Sequence, residues 1–320
     1  MTESVITTDA VTVTAVDKVF EAAAGQVVAL SGIDLTVEPG EFVSLIGPSG
    51  CGKSTLLRLI ADLDTPSSGS VEVFGTSAHQ ARVDQKYGIA FQQAGLLPWR
   101  SVAANIALPL ELHGSSSVET RERVAELIAL VGLDDFGDRY PDELSGGMQQ
   151  RVAIARALAK KPELLLMDEP FGALDEMTRE YMQTELLRIS AETGAAVVFG
   201  THSIPEAVYL SDRVVVMSPR PGRIAAVVPM ALGSTASRAD DLREDGAFFE
   251  MITAVRIPAQ RRAASSDTRT CPSASALSRS VAPSRSSSPA PYARPELKRT
   301  GPSELANVIG RMQQLLKSIS

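Results

Sequence analysis

The stretch GPSGCGKST, residues 47–55, combines glycines, a lysine and hydroxyl side chains at a spacing suited to binding phosphate. It fits the pattern G-x-x-x-x-G-K-[ST], follows the apolar run FVSLI and precedes a predicted helix from about residue 54 to 63. Glycines let backbone N–H groups turn toward phosphate oxygens, and the N-terminus of the helix adds partial positive charge. We therefore predict a nucleotide site in which Lys53 reaches the β- and γ-phosphates and Ser54 binds Mg²⁺. The predicted phosphate-binding residues are Gly47, Pro48, Ser49, Gly50, Cys51, Gly52, Lys53, Ser54 and Thr55.

A second stretch, LLLMDEP at residues 164–170, places two carboxylates directly after an apolar run. The run predicts a buried strand that carries Asp168 and Glu169 to its carboxyl end, where α/β sheets bind ligands. In that position Asp168 is expected to face Mg²⁺ through water, and Glu169 to orient or deprotonate the attacking water. On its own the acidic pair could simply cap the next helix; beside a phosphate loop it indicates nucleotide hydrolysis.

A third stretch, LSGGMQQRVAIARALA at residues 144–159, reads as a helix that opens on Ser145, Gly146 and Gly147. Two glycines weaken a helix start, by about 0.5–1 kcal/mol each relative to alanine. An ordinary Ser-capped helix does not need them, so the pattern raises the question of what approaches this N-terminus.

Apolar runs bounded by turn or polar residues predict the elements that position these motifs. Predicted strands lie at Val27–Leu30, Ile33–Val37, Phe42–Ile46, Val71–Phe74, Gly88–Phe91, Leu164–Met167, Ala196–Phe199 and Val214–Met217. Residues 100–160 are almost purely helical in pattern. Alternation of strands and helices predicts an α/β sheet with a helical insertion between about 93 and 160.

Composition restricts the class of protein. The 320 residues are 44% hydrophobic and 22% charged, as expected for a globular protein, and the formal net charge of −7 argues against general nucleic-acid binding. The two cysteines, Cys51 and Cys271, lie in unlike contexts and predict a reducing compartment. We expect no secretory signal and no membrane-spanning helix, because the sequence holds neither a signal pattern nor a long apolar run.

The composition changes after about residue 232. We expect a terminal helical segment at 233–257, then a disordered linker rich in Ser, Ala, Arg and Pro at 258–302. Residues 303–320 place their apolar side chains on one helical face, which predicts an amphipathic helix.

In order and spacing, the three motifs resemble those of the ATP-binding subunit of ABC transporters, over roughly residues 11–230. The resemblance implies a P-loop NTPase (RecA-like) α/β core in a domain at 8–232, with an antiparallel β subdomain and a helical subdomain at about 93–160. It also marks Gln92 in IAFQQAGLLPW, Asp175 in GALD and His202 in VVFGTHS.

The resemblance implies roles for these residues. Gln92 would sense the γ-phosphate and Mg²⁺ and couple nucleotide state to a partner, and His202 would contact the γ-phosphate and support Glu169. Phe20, in VDKVF, is the best candidate for stacking on adenine. Asp175 would cross a dimer interface.

The resemblance also answers the question of the glycine-rich helix start. Two such subunits pair head to tail around two ATP molecules, so Ser145, Gly146 and Gly147 of one chain would meet the γ-phosphate held by the other. This is physically sound because a helix N-terminus presents unsatisfied N–H donors, and glycine permits close approach.

Finer features point to an importer. LLPW at 96–99, NIALPLEL at 105–112 and PRPGRI at 219–224 are similar to subunits of the nitrate, sulfonate and taurine uptake class. The resemblance implies two membrane-spanning permease subunits, seated near Gln92 to Pro109, and indirectly a solute-binding protein, with this chain at the cytoplasmic face of the cell membrane. Import of another small solute, such as a pyrimidine vitamin precursor, remains an alternative. So does a soluble ABC ATPase that acts on DNA or ribosomes.

Overall fold

A computed structural model describes residues 8–22, 25–233, 235, 238 and 240–266 of the chain. Two β-sheets form the framework of these described residues. The strands are β1 (Val11–Ala22), β2 (Gly25–Val37), β3 (Phe42–Ile46), β4 (Ser68–Val73), β5 (Thr76–Ser77), β6 (Tyr87–Ala90), β7 (Leu164–Asp168), β8 (Ala196–Thr201), β9 (Arg213–Met217) and β10 (Ile224–Pro229). A four-stranded antiparallel sheet has the order β2-β1-β4-β5, and a six-stranded sheet has the order β10-β9-β3-β8-β7-β6.

The six-stranded sheet is parallel except for β10, which runs antiparallel to β9 at one edge. Strands β3, β7 and β8 are buried along their whole length, which explains why they read as continuous apolar runs in the sequence. The strand prediction for Phe42–Ile46 is confirmed.

Among the residues that the structure describes, eight α-helices pack around the sheets. They are α1 (Lys53–Ile60), α2 (Ala78–Val83), α3 (Val102–Leu112), α4 (Ser117–Leu130), α5 (Gly146–Leu158), α6 (Glu176–Thr193), α7 (Ile204–Leu210) and α8 (Gly246–Ser266). Short 3-10 helices lie at Asp134–Phe136, Pro141–Glu143 and Asp240–Glu244. Within the described part of the chain, no helix is both long enough and apolar enough to cross a membrane.

The central sheet separates two hydrophobic clusters, because successive side chains of a strand point to opposite faces. Leu164 and Leu166 of β7 join the cluster that contains α1 and the antiparallel sheet. Leu165 and Met167 join the other cluster, which contains the helical insertion and α6 to α8. The α/β fold predicted from the sequence is confirmed, and its helical insertion shares a core with one face of the sheet.

The structure corrects the predicted elements at several places. The two predicted strands between residues 27 and 37 are one continuous strand, β2, and β1 was not predicted. Strand β1 escapes pattern reading because its register shifts between Val13 and Lys18, and Ala15 adopts a φ of 47°. Such an irregularity breaks the period of two on which strand prediction rests.

At the other end of the described chain, α8 continues to Ser266, so the linker predicted to begin at 258 is wrong for its first residues. Pro258 lies inside this helix although proline removes a backbone donor. Ala259 packs against the hydrophobic core, a tertiary contact that composition does not reveal. The rest of the predicted linker to 302 and the predicted helix at 303–320 lie outside the described residues.

Candidate active site

The phosphate loop connects the end of β3 to the start of α1. Gly50 and Gly52 have φ angles of 76° and 101°, a region that side chains rarely occupy. A Cβ on Gly52 would also lie 2.5 Å from Cδ2 of Leu30. Helix α1 starts at Lys53 with no side-chain cap and no acidic residue in its first turn. The first N–H groups of the helix are therefore left for an anion held in the loop.

Lys53 is buried beneath this loop, with 5% of its surface exposed. Its Nζ donates a hydrogen bond to the carbonyl oxygen of Gly47 at 2.9 Å and lies 4.0 Å from Oε1 of Glu169. An ammonium group has three donors, so the bond to Gly47 fixes its position and leaves donors for phosphate oxygens. Burial raises the pKa of the neighbouring Cys51 thiol, although the charge of Lys53 opposes the shift.

Asp168, the last residue of β7, is buried and hydrogen-bonded to Ser54. Burial raises the pKa of this carboxyl above its usual range, and the Ser54 hydrogen bond and the charge of Lys53 partly offset the effect. A hydroxyl and a carboxylate are hard oxygen donors of the kind that Mg²⁺ accepts, with phosphate oxygens and water completing its shell. The described residues contain no cluster of three or more His, Cys, Asp or Glu side chains that would hold a metal alone. The donor set therefore fits a magnesium ion shared with a nucleotide.

Glu169 follows β7 and contacts two polar side chains of the site. Its φ of 48° is unusual for a residue other than glycine, and its N–H donates to the carbonyl of Gly200 at 2.8 Å. Its Oε2 accepts a hydrogen bond from Nε2 of Gln92 at 3.2 Å and lies 3.3 Å from Nδ1 of His202. Two residues marked by resemblance, 77 and 33 positions away in the chain, thus converge on one carboxylate oxygen.

A cavity of about 360 Å³ opens over the phosphate loop. Its lining consists of Phe20, Val27, Ala29, Ser49, Gly50, Cys51, Gly52, Lys53, Ser54, Thr55, Gln92, Glu169 and Arg220. Phe20 is 38% exposed, and the ammonium of Lys18 lies 4.8 Å from its ring centroid. The lining therefore combines aromatic and aliphatic side chains with polar and charged groups, as a base joined to a phosphate chain requires.

The predicted signature residues do not line this cavity. Ser145 accepts a hydrogen bond from the N–H of Met148 at 3.3 Å and caps α5, and Gly146 has no atom within 4 Å of its Cβ position. A Cβ on Gly147 would lie 3.0 Å from the carbonyl of Ala173, so the start of α5 contacts the loop before α6. These residues present an exposed helix N-terminus at a separate place on the surface.

Asp175, in that loop, caps α6 by accepting a hydrogen bond from the N–H of Thr178 at 3.0 Å. This backbone hydrogen bond lowers the pKa of the carboxyl. Asp175 is exposed and, like the signature residues, lies outside the phosphate-loop cavity.

A chain of polar contacts behind His202 was not predicted. The Thr201 hydroxyl donates to the carboxylate of Glu206, which also accepts from Nε2 of Gln183 at 3.1 Å. Arg243 donates to Oε1 of Gln183 at 2.7 Å. Burial raises the pKa of Glu206 above its usual range. The turn that holds His202 is thus connected to the 3-10 helix Asp240–Glu244, near the C-terminal end of the described chain.

Comparisons with known proteins show which family this chain is similar to. The ABC transporter family model matches residues 30–172. An uncharacterized ABC transporter ATP-binding protein of Methanocaldococcus jannaschii is 52% identical over 215 residues, which cover 67% of this chain and 80% of that protein. The taurine import ATP-binding protein TauB of Rhizobium johnstonii is 50% identical, covering 62% of this chain and 75% of the relative.

Two further comparisons bear on length and fold. The nitrate import ATP-binding protein NrtC of Synechococcus elongatus is 52% identical over 199 residues, 62% of this chain but only 30% of NrtC. A solved dimer of an ATP-binding cassette in a post-hydrolysis state, bound to ADP and Pi, superposes with a TM-score of 0.64 at 35% identity, covering 69% of this chain and 98% of that one. By identity and coverage together, the chain belongs to the ABC transporter family, as an ATP-binding cassette that hydrolyses ATP.

Proposed function

We propose that this chain is the ATPase subunit of an importer that takes up a small anion such as nitrate, a sulfonate or taurine. The observation that carries the catalytic part is the position of Glu169, held by Gln92 and His202 at the edge of the phosphate-loop cavity. The identity to proteins named for nitrate and taurine import supports the cargo class.

In this proposal the residues of one chain bind and orient the nucleotide. The loop N–H groups and Lys53 hold the phosphates, and Phe20 stacks on adenine. Ser54 and Asp168 hold Mg²⁺, which would neutralise charge on the phosphate oxygens. Glu169 accepts a proton from the attacking water, and the contacts from Gln92 and His202 keep its carboxylate in place.

The second half of each ATP site comes from another copy of the chain. The first turn of α5 has no acidic residue, and space is open around Gly146, so its N–H groups are accessible to a phosphate. Ser145 and Gly147 would then close over the γ-phosphate held by the partner, with Asp175 at the interface. Because ATP joins the two surfaces, its hydrolysis would release them.

Replacement of Glu169 by glutamine tests both halves of the proposal. The change keeps the size of the side chain but removes the base, so turnover should fall by about 10²–10⁴-fold. ATP should then persist, and size-exclusion chromatography with light scattering should show a dimer in MgATP and a monomer without it. Glu176→Gln, the same change seven residues on and outside the cavity, is the matched control. A Glu169→Gln chain that stays monomeric at saturating MgATP would contradict the head-to-tail dimer.

The membrane subunits are proposed to seat in a second cavity of about 320 Å³ between β6 and helices α3 and α5. Leu108, Pro109 and Leu112 contribute apolar surface, and Arg156 and Lys160 contribute positive charge. Leu112 is 71% exposed and lines the same cavity as Leu108 and Pro109, so an apolar surface is accessible to a partner there. Of the residues named here, Leu108 and Pro109 belong to the range near Gln92 to Pro109 where the sequence led us to expect the membrane subunits.

Co-purification with the membrane subunits encoded beside this chain tests the importer assignment. Leu112→Asp should abolish co-purification, whereas Leu63→Asp, at an exposed leucine outside the cavity, should not. ATPase activity of the complex should rise when the cognate solute-binding protein carries its anion. Turnover that is insensitive to any binding protein and needs no membrane subunit would favour the soluble ABC ATPase.

A further inference from the structure

Arg220 is a cation in the wall of the phosphate-loop cavity that none of the roles above uses. It belongs to the stretch PRPGRI, between β9 and β10, and it is exposed. Its Nη2 atom lies 3.7 Å from the position that a Cβ on Gly50 would take. A group held by the loop's N–H donors at Gly50 therefore lies beside the guanidinium.

The turn that carries Arg220 is fixed against strand β2 by backbone hydrogen bonds. The N–H of Gly222 donates to the carbonyl of Ala29 at 2.9 Å, and the N–H of Ser31 donates to the carbonyl of Gly222 at 3.0 Å. The Ser218 hydroxyl closes the turn, accepting from the N–H of Arg223 at 3.1 Å and donating to the carbonyl of Pro221 at 3.2 Å. The backbone at Arg220 is thus held in place before any ligand arrives.

The side chain of Arg220, in contrast, has no partner within the described protein. It makes no hydrogen bond or ion pair with any residue that the structure describes. Arg213, on the adjoining strand, is bound bidentately by the carboxylate of Glu41. An unpaired guanidinium at the mouth of a phosphate-binding cavity is suited to recognise an anion, because its planar fork matches phosphate oxygens.

We propose that Arg220 is a further nucleotide-binding residue, whose guanidinium binds the phosphate chain of ATP and ADP beside Gly50. This inference rests on the ATP site of the cassette and is independent of cargo, transport direction and membrane subunits. The proposal gives PRPGRI a local function, because the turn brings a second cation, besides Lys53, to the phosphates.

The test is binding of MgADP, AMP and adenosine to the full chain by isothermal titration calorimetry. Arg220→Ala should weaken MgADP by about tenfold, the effect expected for one charge-assisted contact at an exposed position, and leave adenosine unchanged. Arg220→Lys keeps the charge without the planar guanidinium, so its affinity for MgADP should lie between those of wild type and Arg220→Ala. Arg223→Ala is the control, because Arg223 carries the same charge in the same turn but lies outside the cavity. Its affinity for MgADP should be within twofold of that of wild type.

Two readouts separate this role from a structural one. The melting temperature of Arg220→Ala should match wild type, because its side chain bonds to nothing within the described chain. The MgADP affinity of Arg220→Ala should also depend less on salt concentration than that of wild type, because the variant has lost one electrostatic contact to phosphate.

Three results would overturn the proposal. One is MgADP binding by Arg220→Ala within twofold of wild type. Another is an equal loss for adenosine, which would mean that the arginine serves the base or the shape of the cavity. The third is normal MgADP binding with loss of the ATP-dependent dimer in the Glu169→Gln background, which would assign Arg220 to the dimer interface.

Discussion

Replacement of Gly222 by alanine tests whether the PRPGRI turn and the phosphate loop form one rigid unit. A Cβ on Gly222 would lie 2.0 Å from the carbonyl oxygen of Cys51, within the phosphate loop, and 3.1 Å from Cδ2 of Leu30. The obstructing Cys51 atom belongs to the backbone, so it cannot move aside by a change of rotamer.

The magnitude follows from these contacts. An ordinary contact needs 3.4 Å, so turn and loop must separate by about 1.4 Å. That separation would break the two hydrogen bonds that join Gly222 to Ala29 and Ser31, each with a net contribution of about 0.5–1.5 kcal/mol. Overpacking adds about 1–3 kcal/mol. We therefore expect Gly222→Ala to lower the free energy of unfolding by about 2–6 kcal/mol.

Urea unfolding followed by circular dichroism measures the stability, and calorimetry measures MgADP affinity in the chain that remains folded. Affinity should fall as well, because the carbonyl of Cys51 is displaced within the loop that holds the phosphates. Gly246→Ala is the matched control, since its Cβ would meet no atom within 4 Å. It should change stability by no more than about 0.5 kcal/mol. If Gly222→Ala unfolds at the same urea concentration as wild type, turn and loop are not packed as described.

Three other predictions follow from single contacts. Burial raises the pKa of Glu206 despite its hydrogen bonds from Thr201 and Gln183, so its protonated form favours the fold and its contribution is lost as pH rises through the folded pKa. Glu206→Gln should therefore gain stability relative to wild type between pH 4 and pH 7, measured by urea unfolding; a constant difference would contradict the raised pKa. Ser116→Ala removes the capping box of α4 and should cost about 1 kcal/mol of stability without changing MgADP affinity. Phe20→Ala should weaken adenosine and ADP alike, by about tenfold, whereas Phe20→Trp should not; an unchanged affinity in calorimetry would place adenine elsewhere.

The parts of the site that lie within one motif could be predicted from the sequence. A phosphate loop between an apolar strand and a helix is a local pattern, and the strand before Asp168 is apolar because both faces of the sheet are covered. The contact of His202 with Glu169 was expected only from the resemblance to a family, and the hydrogen bond from Gln92 to Glu169 was not expected. No local pattern joins residues that far apart in the chain.

The residues that sequence reasoning missed depend on tertiary packing. Arg243 meets Gln183 across 60 positions, and nothing in either neighbourhood marks the contact. The sequence analysis noted the stretch PRPGRI, which contains Arg220, as a feature of importers. Only the fold shows that the side chain of Arg220 lies beside Gly50. Helix α8 continues through Pro258 because Ala259 packs on the core, and this packing outweighs the free-energy cost of a proline within a helix.

The polar chain behind His202 determines how far the polypeptide can be shortened for biochemical work. The central sheet ends at Pro229, and every residue that lines the phosphate-loop cavity precedes it. Yet Arg243, which holds Gln183, and Val255, which is fully buried, come later. A protein cut after the last strand would keep every residue that lines the phosphate-loop cavity but lose the polar contacts behind His202, with apolar surface newly open to water. A low ATPase rate in such a fragment would result from the truncation and would not describe the intact enzyme. The smallest fragment that keeps these contacts extends through α8 to Ser266.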